Sequence, residues 1–342
     1  MRTVNPKMIL LARESRGWTQ QVLSEKINSY KANLSRLEKG DTRVSEDILN
    51  AIAEATCYPV HFFYQKAEVI PTHLSYRKKQ NVPAKIIIPI EAQVNIMRMH
   101  VEFLMTSLDM QAVPLPVYNV NEKNTPASIA ASLWKKWNIK PGTIPSLTHL
   151  LEDKGILINI FDFGTGRVDS KSIITNNGIP LIFLNASLSG DRQRFSLAYE
   201  LGHLVMHTSA ILQYERDITH EANLFAAEFL MPAKEIIKDF EPGISLSLLG
   251  ELKRKWKVSM ISLLYRADDL GLLTPNQKRY LLQQFNQLKI RRREPKELDV
   301  PVEKPTFLRK ILADYRSKTN LSVMEVAALL ALEVSEYLEL YS

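Results

Sequence analysis

The sequence predicts a mainly α protein with an α+β middle: an N-terminal helix-turn-helix bundle, an α+β domain with a small antiparallel sheet, and a C-terminal helical tail. Three observations carry this. Apolar residues recur at helical spacing through most of the chain. Only "ILINIFDF" and "SKSIITNNGIPLIFLN" read as strands, the second pair folding about an Asn-Gly turn. A length of 342 residues suggests two or three domains. The expected divisions are a bundle at 1–66, a basic linker with a long helix at 67–110, the α+β domain at 111–288, and a charged linker with the helical tail at 289–342.

Composition narrows the function classes. Hydrophobic content of 45% and charged content of 24% are ordinary for a globular chain with a sizeable core. A net charge of +7 permits nucleic-acid binding without requiring it. Cys57 is the single cysteine, so no internal disulfide is available and a reducing compartment fits. No leader pattern opens the chain and no apolar run approaches bilayer length, so the reading is cytoplasmic, with no membrane partner.

Within 1–66, helical spacing runs through "PKMILLARESRG", "TQQVLSEKI", "YKANLSRLEKG" and "SEDILNAIAEAT". Thr19 and Ser45 are N-cap signals, Glu46 and Asp47 favour a helix start, and Gly40 stops the third helix. The second and third helices enclose the short turn "INS", which makes a helix-turn-helix unit. Leu34 and Leu37 face inward, leaving Lys31, Asn33, Ser35 and Arg36 outward. Those types suit base edges and phosphates; the plainer alternative is a solvated polar face. The stretch "WTQQVLSEKINSYKANLSRLEKG" also resembles the repressor-type XRE helix-turn-helix family. The resemblance implies binding to double-stranded operator DNA as a dimer. It places Gln20, Tyr30 and Lys31 against the backbone and makes Lys31, Asn33 and Arg36 the base readers, with Gln21 and Ser35 completing the DNA-binding set.

The connector "THLSYRKKQNVPAK" reads as a basic linker whose charges reach DNA phosphates. Ile90, Val94, Met97, Val101, Leu104 and Leu108 then mark a long amphipathic helix, either packed in the core or forming a homodimer seam. "QAVPLPVYNV" breaks the pattern. Thr125 and Pro126 start a new helix, and "SLTHLLEDKG" ends at Gly155 before the strands.

The chemistry concentrates in "FSLAYELGHLVMH". On a helix, Tyr199 and His203 are four apart and share a face, with Glu200 beside the first. A zinc peptidase carries H-E-x-x-H at this spacing, two imidazoles on the metal and a glutamate as general base. "HEANLFAAEFLMP" supplies Glu221 as a third donor, with His220 next to it. A five-residue pattern alone arises by chance. Together, though, "RQRFSLAYELGHLVMH" and "EANLFAAEFLMP" resemble the ImmA/IrrE family of zinc metallopeptidases over about residues 80–275, which implies a zincin-like fold. The resemblance makes His203 and Glu221 zinc ligands and Glu200 the base, with Tyr199 standing where the first histidine belongs. A phenol with an ordinary pKa near 10 is a poor substitute. A shifted set of His203, His207 and Glu221 is the alternative, and it leaves Leu204 where the base should be. The expected cofactor is therefore none, or weakly held zinc.

Beyond Pro232 the chain stays helical. "SLLGELKRKWKVSMISLLYRADDLGLLT" reads as two packed helices, and "KIRRREPKELDVPVEKP" as a charged linker. The tail's apolar faces are too broad to stay exposed, so it docks on the body, a second copy or another protein. The combined expectation is a DNA-binding transcriptional regulator with a degenerate peptidase-like domain acting as sensor or scaffold. The alternatives are an active metallopeptidase that cleaves a repressor, and an antitoxin that masks a toxin and controls its own operon.

Overall fold

The computed structural model describes residues 3–66, 76–78, 82–207, 216–291 and 293–341. It opens with α1 (Pro6–Ser15), α2 (Gln20–Lys26), α3 (Lys31–Lys39), α4 (Glu46–Thr56) and a 3-10 turn at Val60–Tyr64. Side chains of Asn5, Thr19 and Ser45 accept first-turn backbone N–H groups and fix three of the starts. Tyr30 caps α3 without a side-chain bond, and Gly40 ends it at φ +80°, a left-handed turn that glycine adopts freely.

The basic stretch after this bundle contributes β1 (Tyr76–Lys78), an edge strand, before α5 (Ala84–Ser107). Residues 67–75 and 79–81, the rest of the expected linker, lie outside the described residues. Next come α6 (Pro126–Lys136), α7 (Leu147–Glu152), β2 (Leu157–Phe161), β3 (Val168–Ile174), β4 (Pro180–Asn185) and α8 (Gly190–Met206). They are followed by α9 (Ile218–Leu230), α10 (Ala233–Phe240), α11 (Leu246–Trp256), α12 (Met260–Asp269) and α13 (Pro275–Gln287). The tail is α14 (Phe307–Thr319), α15 (Val323–Leu329) and α16 (Val334–Tyr341). No helix among the described residues is long and apolar enough to cross a membrane.

The sheet order is β1-β3-β4-β2. β3 and β4 pair antiparallel around the Asn-Gly turn, Ile174 opposite Pro180. β2 lies on the far side of β4 and runs parallel to it, so the sheet is mixed rather than purely antiparallel. The apolar run of β2 marks a buried strand, but burial pattern carries no direction, and a strand covered on both faces suits parallel pairing even at the sheet edge.

Alternate residues of the sheet enter two cores, as the two-residue period of a strand requires. Leu157, Leu181 and Phe183 join a core shared by the N-terminal bundle, α5 and the tail. Ile158, Ile182 and Leu184 face a second core built with α6–α13. The apolar face of α5 is as predicted, but Asn95, Arg98 and His100 are buried too. α1 and α14 pack on this helix within the same chain, as the core-packing alternative expects.

The tail docks on the body. His100 Nδ1 lies 2.7 Å from the Tyr341 hydroxyl, and both terminal nitrogens of Arg16 donate to Glu336 at 3.1 Å. The charged stretch before it is a strap rather than a loose linker. Lys253 Nζ donates to Asp191 at 2.9 Å and to Glu294 at 2.6 Å, and Glu303 accepts from Arg194, Ser146 and the Thr148 backbone. The strap crosses the start of α8 so closely that a Cβ on Gly190 would sit 2.3 Å from the Val300 carbonyl oxygen. Unpaired charges buried there would cost several kcal/mol, so their pairing explains why a polar segment holds one path.

Candidate functional site

Two groups of residues come from the sequence reading, and the fold treats them differently. On α3, Lys31 and Arg36 are exposed, Asn33 and Ser35 are half-buried, and Leu34 and Leu37 close the core beneath. Tyr30 at the start of α3 is 85% exposed, the most open of the large apolar side chains described. With no side-chain cap, the first N–H groups of α3 remain available to an anion. Gln21 is exposed on α2 and donates to Glu25 at 2.6 Å. Gln20 is drawn inward: its amide donates to Glu38 at 2.7 Å, the carboxylate that Arg13 also holds. The Asn33 amide donates to Ser29 Oγ at 3.1 Å.

The second group lies on α8. Gly202 lets α9 approach, since Phe225 already stands 3.0 Å from where a Cβ would be. That contact brings Glu221, one turn earlier on α9, alongside His207 at the end of α8. His203 Nδ1 and His207 Nδ1 are hydrogen-bonded at 2.8 Å, and His207 Nε2 meets Glu221 Oε2 at 2.9 Å. Arg216 then clamps Glu221 with two hydrogen bonds, Nε to Oε1 at 2.9 Å and Nη2 to Oε2. His203 Nε2 is the inner end of this chain, buried with no hydrogen-bond partner among the described residues. Residues 208–215, which link His207 to this segment, lie outside the described residues. His220 is exposed, and its backbone N–H is taken by Asp217 at the cap of α9.

Tyr199 stands edge-on to His203, with ring centres 4.7 Å apart. The Arg77 guanidinium, from β1, covers its ring at 5.7 Å and that of Phe195 at 4.6 Å, and donates to Ser196 Oγ at 2.7 Å. Of the basic connector's charges, Arg77 turns into the protein rather than toward a phosphate. Glu200 points to the sheet instead. Its two oxygens accept from Ser170 Oγ at 2.7 Å and Ser172 Oγ at 2.6 Å, neighbours on one face of β3.

Burial governs the electrostatics. It pushes the Tyr199 phenol up to about 12, aided by the Glu200 charge, and raises the Glu200 carboxyl. It pushes His203 down to about 3, with His207 and Lys171 adding repulsion. His207 is also lowered by burial, partly offset by Glu221. Burial alone would raise Glu221, but hydrogen bonds from Arg216 and His207 outweigh it and hold the carboxyl below its usual value.

Zinc needs three or four donors converging on one point. Among the described residues no group of three or more His, Cys, Asp or Glu side chains is arranged to hold a metal ion. The phenol of Tyr199 stays protonated and Glu221 is engaged on both oxygens, which leaves His203 Nε2 as the one histidine nitrogen of this group without a partner among the described residues. These donors do not fit the zinc site that the resemblance implies. Sequence reasoning missed Arg77, Ser170, Ser172 and Arg216. The alternation in "SKS" on a predicted strand is the one signal that could have placed the two serines on a common face.

Two stretches of the chain match known family models. Residues 9–60 match the helix-turn-helix model, and residues 151–268 match the model described as the IrrE N-terminal-like domain. The curated proteins hold no match to the chain. The first stretch contains α2 and α3, and the second runs from the end of α7 to α12, with all the α8 and α9 residues above. The chain thus joins a helix-turn-helix domain to an IrrE-like peptidase domain.

Proposed function

We propose that this chain is a sequence-specific transcriptional regulator that reads operator DNA with α3 and uses its peptidase-like domain as a sensor or scaffold rather than for cleavage. One contrast carries the reading: Lys31 and Arg36 on α3 are exposed, while Tyr199, Glu200 and His203 are buried and Glu200, His207 and Glu221 are engaged by neighbours inside the protein. Lys31, Asn33 and Arg36 read base edges, and Tyr30, Gln21 and the open start of α3 meet the backbone. Two copies act on a two-fold site, as repressors of this type do, with half-sites roughly 34–36 Å apart. Hydrolysis by a zinc peptidase needs an anchored metal to activate water, and Glu200 is held by two serines away from the histidines.

Selection from a random duplex library, followed by footprinting, tests the first half. A palindromic site with one protected patch per half-site is expected. Equal binding to every sequence would overturn the DNA-reading function. Elemental analysis of the full chain tests the second half, and stoichiometric zinc would return a hydrolase to the front.

A further inference from the structure

The would-be metal pocket is not simply short of one ligand. It holds two arginines at the two positions where the cation's charge would be felt. Arg216 grips Glu221 through both carboxylate oxygens, and Arg77 lies over the ring of Tyr199. Glu221 is 15% exposed and Arg216 19%, so the clamp is largely withdrawn from water. A two-point guanidinium–carboxylate pair fixes geometry as well as charge, and with the His207 contact it takes three of the roughly four lone-pair sites of Glu221. A divalent ion placed beside His203 would also meet Arg77 and Lys171, both of which act electrostatically on this pocket.

We propose that Arg216, supported by Arg77, takes the place of the metal's charge, so that the pocket is balanced without an ion and Tyr199→His alone does not rebuild a zinc site. This rests on the metal-free reading above. It goes further by naming the residue that keeps the metal out once the missing imidazole is supplied.

The test uses the full chain and zinc ion alone, titrated against a chromophoric chelator, in Tyr199→His, Tyr199→His/Arg216→Ala and Tyr199→His/Arg216→Gln. A thermal melt of each variant confirms folding, and the glutamine variant keeps hydrogen-bonding capacity while removing charge. Both double variants are expected to bind zinc about tenfold or more tighter than Tyr199→His, about the 1.4 kcal/mol that a partly buried two-point ion pair supplies. Equal affinity in the single and double variants would overturn the proposal, and so would double variants that fold and bind no zinc. Stoichiometric zinc in the unaltered chain is a different result, which removes the metal-free reading itself.

Discussion

The start of α3 and the middle of α8 are both rich in polar side chains, yet they use them in opposite ways. On α3 the side chains stand over a small apolar core and keep donors and acceptors for something outside the chain. Around α8, Glu200 is satisfied by β3, His207 by Glu221 of α9, and that carboxylate by Arg216. A polar group left open at a surface costs little in stability and is free for binding. One enclosed by partners supports the fold and has little left for a ligand. Substitutions should therefore separate the two regions, one changing stability and the other changing affinity.

The largest effect is expected from Ser170→Ala together with Ser172→Ala. Glu200 is wholly buried, and removing both donors strands a carboxylate at the helix–sheet interface. Destabilisation of about 3 kcal/mol or more is expected, read as a shift in the urea midpoint. A loss below about 0.5 kcal/mol would mean that Glu200 is held by something other than these hydroxyls.

Acid should act on the α8 region next. In the folded chain His203 titrates at about 3, against 6.5 normally. Between those values the unfolded chain takes up a proton that the folded chain refuses, so stability falls as the pH drops from about 6.5. The slope is about 1.4 kcal/mol per pH unit from this group. Glu221 adds a later loss: its depressed carboxyl contributes stability above 4.5 that disappears as the pH falls further. Denaturant midpoints should fall less steeply between pH 6.5 and 4.5 in His203→Gln, with the remaining slope coming from His100 and His207, whose imidazoles burial also lowers. An unchanged slope would place the acid sensitivity elsewhere.

The smallest change in stability belongs to α3. Asn33→Ala should alter unfolding free energy by less than about 0.5 kcal/mol, since the bond to Ser29 lies near the surface. The same change should weaken discrimination between operator and altered operator by about 1 to 3 kcal/mol, measured by fluorescence anisotropy. A stability loss with no change in discrimination would make Asn33 a structural residue.

How much was legible followed from the range of each interaction. Helix starts were readable because Thr19, Ser45 and Thr125 act on N–H groups two or three residues away. The β3–β4 turn was readable because Asn-Gly fixes its own backbone. The Tyr199–His203 spacing was equally local. The parallel partner of β2 was not readable, because it is chosen by packing across the sheet. Nor was the turning of Glu200 toward β3 or of Arg77 onto Tyr199, each of which joins segments far apart in sequence. Arg216 is closer, five residues before Glu221, but it precedes the start of α9, where no helical spacing assigns its guanidinium a partner.

The docking of the tail has a consequence for how the molecule is made. The core around α5 takes residues from α1 and from α14–α16, so its two halves are separated by almost the whole peptidase-like domain. During synthesis the helices that carry Tyr30 and Lys31 emerge first, but Arg16 and His100 meet Glu336 and Tyr341 only after some three hundred residues have been added. Closure of so long a loop comes late in folding. The DNA-reading end therefore reaches its final support only when the body between has already been built, and a chain halted before α16 would carry that reading surface without its anchor.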